Sequence, residues 1–95
     1  YVGKSGGTSE VDIVPVQAAN VRVEKVRIFN PNAAAVSGTL YLHSGSQRYE
    51  ELRFEVPPNC PWVEHLQEPL VANQSLTVQL DATPGTELNL FGYWS

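Results

Sequence analysis

The sequence predicts one all-β domain built as an antiparallel sandwich. Apolar and polar residues alternate in several segments, turn-forming clusters recur about every ten residues, and no stretch as long as about ten residues keeps a helical period. The 95 residues fit a single domain of this kind. A content of 42% hydrophobic against 17% charged residues separates the chain from disordered sequences.

The opening stretch from Tyr1 to Ser9 holds Gly3, Gly6 and Gly7 with two serines. It offers too little apolar surface to anchor an element, so a flexible N-terminal arm is expected over 1–9, with the sandwich domain spanning 10–95. Val11, Ile13 and Val16 predict a first strand, and Pro15 confines that strand to a sheet edge or a strand end.

From Val21 to Phe29 the alternation changes phase. Val21 and Val23 share one parity, and Val26 and Ile28 take the other after Glu24 and Lys25, a slip that a β-bulge absorbs. Asn30-Pro31-Asn32 ends the strand, and the three alanines that follow are expected in a loop.

Val36 to His43 sets Leu40 and Leu42 against Thr39, Tyr41 and His43, and Ser44-Gly45-Ser46 predicts a turn. Glu50 to Val56 has the cleanest alternation, with Leu52, Phe54 and Val56 inward and Glu51, Arg53 and Glu55 outward. After the break at Pro57-Pro58-Asn59-Cys60-Pro61, the stretch from Trp62 to Val71 has no sustained period and is expected to connect sheets. Leu76 to Leu80 and Leu88 to Tyr93, joined through Thr83-Pro84-Gly85-Thr86, predict a terminal hairpin. Six or seven such strands point to an Ig-like or jelly-roll β-sandwich.

Charge and residue type then narrow the function. A formal net charge of -4, with six Lys and Arg scattered along the chain, argues against nucleic acid as a partner. No run approaches the roughly 20 apolar residues of a membrane-spanning helix, and no targeting signal stands at the start. The single Cys60 forms no internal disulfide, which favours folding in a reducing cytosol.

No cofactor, metal or catalytic residue is expected. His43, Cys60 and His65 match no metal-ligand spacing, and His43 reads as a solvent-facing or pair-forming histidine. Glu50, Glu51, Glu55, Glu64 and Glu68 read as a solvated face in place of a glycosidase pair. The aromatics are the better candidates: Trp94, Tyr93, Trp62 and Tyr41 are the expected interface residues, since surface aromatics anchor protein partners or stack on sugars. Of these, Trp62 also suits a structural role in sealing one end of the sandwich.

The cadence of Val23-Glu24-Lys25-Val26-Arg27-Ile28-Phe29-Asn30, Gly38-Thr39-Leu40-Tyr41-Leu42, the Val56-Pro57-Pro58-Asn59 break, Ser75-Leu76-Thr77-Val78 and Gly92-Tyr93-Trp94 resembles small Ig-like virion proteins of tailed bacteriophages. The resemblance covers about four fifths of the chain, from Val16 to Trp94, and its motifs are not chemically specific. It implies a non-enzymatic virion protein made in the host cytoplasm, foremost a capsid decoration or stabilisation protein. The partners it implies are the major capsid protein or a neighbouring virion protein, together with further copies in a trimer or pentamer. A tail or neck accessory protein is the first alternative, and a carbohydrate-binding module using the exposed aromatics is the second.

Overall fold

In a domain this small, the decisive sequence feature is which residues of each strand share a face, because one buried layer must serve two sheets. The computed structural model describes residues 2–95 and is all β, with no helix among them. The strands are β1 (Val2–Ser5), β2 (Val11–Val14), β3 (Val21–Asn30), β4 (Val36–Ser44), β5 (Gln47–Val56), β6 (Cys60–Glu64), β7 (Glu68–Leu70), β8 (Gln74–Leu80) and β9 (Leu88–Trp94).

Two antiparallel sheets result. The first has the order β1-β9-β3-β6, with β7 also paired to β3, and the second has the order β2-β8-β4-β5. Their inner faces enclose Ile13 and Val14 from β2, Val23, Val26 and Ile28 from β3, Leu40 from β4 and Phe54 and Val56 from β5. Leu70, Leu76, Val78, Leu80, Leu88 and Leu90 complete the buried set. Removing these side chains from water supplies the main drive to fold.

Several local expectations hold. β3 carries the bulge, with its register against β9 slipping between Val23 and Lys25, so that Val23 and Val26 both reach the core. β2, followed by Pro15, is an edge strand. The three alanines lie in a loop, and β4 and β5 meet at a two-residue turn where Gly45 takes φ 61°, a conformation that glycine adopts without a Cβ penalty. In β5, Phe54 and Val56 are buried and Arg53 and Glu55 exposed, as the alternation requires, but Glu51, expected outward, falls at a slip in the register against β4 and is half-buried.

Three expectations need correction. The terminal hairpin does not form: β8 pairs with β2 and β4 in the second sheet, whereas β9 pairs with β1 and β3 in the first. The turn between them is a crossover, because both strands are central and each needs partners on two sides. The connection expected over Trp62–Val71 instead supplies most of β6 and all of β7, which share one edge of β3 and are separated by a kink where Gln67 has φ 51°. Neither strand alternates visibly, since each is short and carries a proline, Pro61 or Pro69. Finally, the segment expected to be an arm contains β1, whose four residues pair with β9 from Val2↔Phe91 to Ser5↔Leu88. Backbone hydrogen bonding to β9 orders it where side-chain burial alone is too small. Tyr1 lies outside the described residues.

Two polar or backbone contacts lock this arrangement. Asn30, fully buried at the end of β3, donates from Nδ2 to the carbonyls of Ala34 (2.9 Å), Val56 (3.2 Å) and Pro57 (3.3 Å). Its Oδ1 accepts from the Asn32 backbone and side-chain amides. The same side chain therefore fixes the β3–β4 loop and the end of β5. At the other contact, Gly92 of β9 lies directly under the Ile13 backbone of β2, leaving no space for a Cβ.

Both contacts give measurable expectations. Asn30→Ala leaves three carbonyls and two donors to find new partners and is expected to destabilise the fold by about 2 to 3 kcal/mol. Gly92→Ala forces the two sheets apart at one point and is expected to cost about 2 to 3 kcal/mol. Urea unfolding of the two variants beside the parent checks both values, and an unchanged midpoint would contradict either assignment.

Candidate functional site

The two outer faces of the sandwich differ in charge, and strand order is the cause. On the first sheet, β3 and β9 run side by side with Arg27 opposite Phe91 and Lys25 opposite Tyr93. The Arg27 guanidinium lies over the Phe91 ring at 4.8 Å, and the Lys25 ammonium lies over the Tyr93 ring at 4.7 Å. Such cation–ring contacts contribute roughly 0.5 to 1 kcal/mol each at exposed sites.

Lys4 on β1 and Arg22 at the start of β3 extend the same face. Arg22 donates to the Gln67 side-chain oxygen at 3.2 Å. Among the described residues, none of Lys4, Arg22, Lys25 and Arg27 forms an ion pair. Their charge is held by rings and an amide and is not neutralised by carboxylates; Glu24, in the bulge, is the acidic residue of β3. Tyr93 is 39% exposed and Val63, opposite Arg27 on β6, is 41% exposed, so apolar and cationic surface interleave.

The outer face of the second sheet is acidic and internally paired. Glu10, at the entry to β2, accepts from Thr77 Oγ1 at 2.9 Å, pairs with His43 Nε2 at 3.1 Å and meets the Arg48 guanidinium at 3.3 Å. His43 is thus a pair-forming histidine. Arg48 in turn covers the Tyr41 ring at 4.1 Å. Arg53 grips Asp81 through two hydrogen bonds of 3.1 and 2.6 Å and donates to Thr39 at 2.8 Å. Asp12, Glu50 and Glu55 share the face, with Asp12 opposite Thr77, Glu50 opposite Tyr41 and Glu55 opposite Ser37.

The four expected interface aromatics are therefore dispersed. Tyr93 belongs to the cationic face. Tyr41 lies on the opposite face beneath Arg48. Trp62 turns inward from edge strand β6 and packs on Phe54 of edge strand β5 with ring centroids 5.1 Å apart, closing a side of the core between the two sheets in place of the expected end, and Trp94 is half-buried against the core beside Val23. The residues that sequence reasoning missed are Lys25, Arg27 and Lys4. Their scatter along the chain conceals a cluster that only the β1-β9-β3 pairing creates.

Cys60 opens β6 opposite Asn30 and is half-buried. Among the described residues, no cluster of three or more His, Cys, Asp or Glu is placed to hold a metal. Burial raises the pKa of Glu51, and the neighbouring Glu68 carboxylate pushes it in the same direction. A cleft of about 560 Å³ at the end of the sandwich lies between the alanine loop and the β8–β9 crossover. Its one carboxylate, Asp81, is already held by Arg53.

Partial burial raises the Glu10 pKa, but hydrogen bonds from His43 and Thr77 and the charges of His43 and Arg48 outweigh it, so the net shift is below the ordinary 4.5. The folded form thus prefers the ionised carboxylate, and this stabilisation is present above the unfolded pKa and lost as pH falls through the folded one. Glu10→Gln is expected to flatten the loss of stability between about pH 5 and pH 3, by no more than about 1 kcal/mol for so open a group. Urea midpoints across that range provide the check. The chain matches no protein-family model, and no curated protein or solved structure is significantly similar to it.

Proposed function

We propose that this protein is a non-enzymatic structural component of a tailed-phage virion, a capsid decoration or stabilisation protein, held in place by protein–protein contacts of its first sheet. The observation that carries the contact is the outer face of that sheet, where Lys25 and Arg27 lie over Tyr93 and Phe91 without carboxylate partners. Tyr and Arg are enriched among the residues that dominate binding energy at protein interfaces, and unneutralised cations set orientation and speed encounter. The virion setting rests on the resemblance of the strand cadence to that of small phage sandwiches. A tail or neck position uses the same surface and remains the first alternative within this reading.

The carbohydrate-binding reading has less support. A sugar platform needs open ring faces, and Trp62 and Trp94 are packed against the core, leaving Tyr93 beneath Lys25.

Cosedimentation of the purified protein with capsids of the phage that encodes it tests the proposal. Saturable binding is expected, weakened at least tenfold by the double substitution Lys25→Glu with Arg27→Glu, while urea unfolding stays near that of the parent. Absence of binding to capsids, tails and assembly intermediates alike would overturn it.

A further inference from the structure

We infer that the cationic face of the first sheet has a specific partner, the acidic outer face of the second sheet on another copy of this chain. This inference rests on the proposed role in assembly and names a neighbouring copy as the occupant of that surface on the particle, so that Lys25 and Arg27 strengthen capsid binding by linking adjacent copies.

Charge complementarity is the first support. Lys4, Arg22, Lys25 and Arg27 gather on one broad side, with Glu24 the acidic residue among them. The other broad side carries Glu10, Asp12, Glu50, Glu55 and Asp81, and Arg48 and Arg53 neutralise only part of that charge. A chain whose net charge is -4 thus has one positive and one negative face. Such faces attract between copies in head-to-tail orientation and repel in either like-to-like orientation.

Area and edges give the second support. The domain measures 39 × 24 × 18 Å, so its broad side approaches the roughly 800 Å² per partner that a stable interface buries. Sheet edges are poorly suited to extension by another strand. Pro15 follows β2, Pro61 and Pro69 interrupt the β6–β7 edge, β5 presents alternating charges, and β1, the fourth edge, is only four residues long. Association is left to the faces.

The contact is heterologous, since two different patches meet. Copies therefore add one after another, and the assembly closes into a trimer or pentamer only if each contact also turns the next copy through the closing angle.

Light scattering on three proteins decides the matter: the parent, a first-face variant (Lys25→Glu with Arg27→Glu) and a second-face variant (Glu50→Lys with Glu55→Lys). The parent is expected to associate at low salt, with association weakening at least tenfold between about 50 and 500 mM salt. Each variant alone is expected to remain monomeric, and mixing the two restores association, because each keeps the face the other has lost. If the second-face variant associates as the parent does, the partner is not this chain's acidic face, and the inference fails while capsid binding stands untouched. A parent that stays monomeric at low salt and millimolar concentration also overturns it. So does tight binding of a labelled single-stranded oligonucleotide lost in the first-face variant, which would make the cationic face a nucleic-acid surface. Should either variant fail to unfold cooperatively, the salt dependence of the parent's mass decides alone.

Discussion

The bulge in β3 is the constraint on which the arrangement depends. Val23 and Val26 are separated by an odd number of positions, so a regular strand would send one of them into water. Inserting Glu24 into the ladder against β9 brings both into the core and restores register beyond it. The same slip fixes what faces outward, setting Lys25 opposite Tyr93 and Arg27 opposite Phe91. One extra residue thus serves the buried layer and the cationic surface together. Any change that removes the bulge must disturb both.

The remaining contacts divide between holding the sheets together and holding the loops. Gly92 lets β9 approach the β2 backbone, which is possible only with no side chain on that strand position. Asn30 replaces the missing backbone partners where β3 leaves the sheet, satisfying carbonyls from two other segments. On the second sheet, Glu10 performs a related task from the outside, tying the entry to β2 onto β4, β5 and β8 through His43, Arg48 and Thr77. Burial, backbone approach and surface pairing therefore act on the same few strands.

What could be read from sequence was what depends on neighbours along the chain. The alternation in β5, the phase change in β3, the Gly45 turn and the edge position of β2 are all local signals. The pairing partners of β6, β7 and β8 were not legible, because a crossover and a hairpin can share the same turn residues. β6 and β7 gave no period since three to five residues with a proline are too few to show one. The candidate site suffered most. Aromatic residues stand out in a sequence, but whether Trp62 turns inward or Lys25 joins Lys4 on one face is decided by strand order. Tyr93 was conspicuous; the cation lying over it was not.

The position of β9 has a further consequence for how the molecule forms. It is the last strand in the chain, yet it stands between β1 and β3 near the middle of the first sheet. During synthesis, the second sheet has all its strands once β8 is made, while the first still lacks the strand that joins its two sides. The earlier segments must wait with Val23, Val26 and Ile28 incompletely covered until β9 pairs with β3. The first sheet is therefore completed only when β9 joins β1 to β3, and the long-range pairings of the domain place it among slow folders.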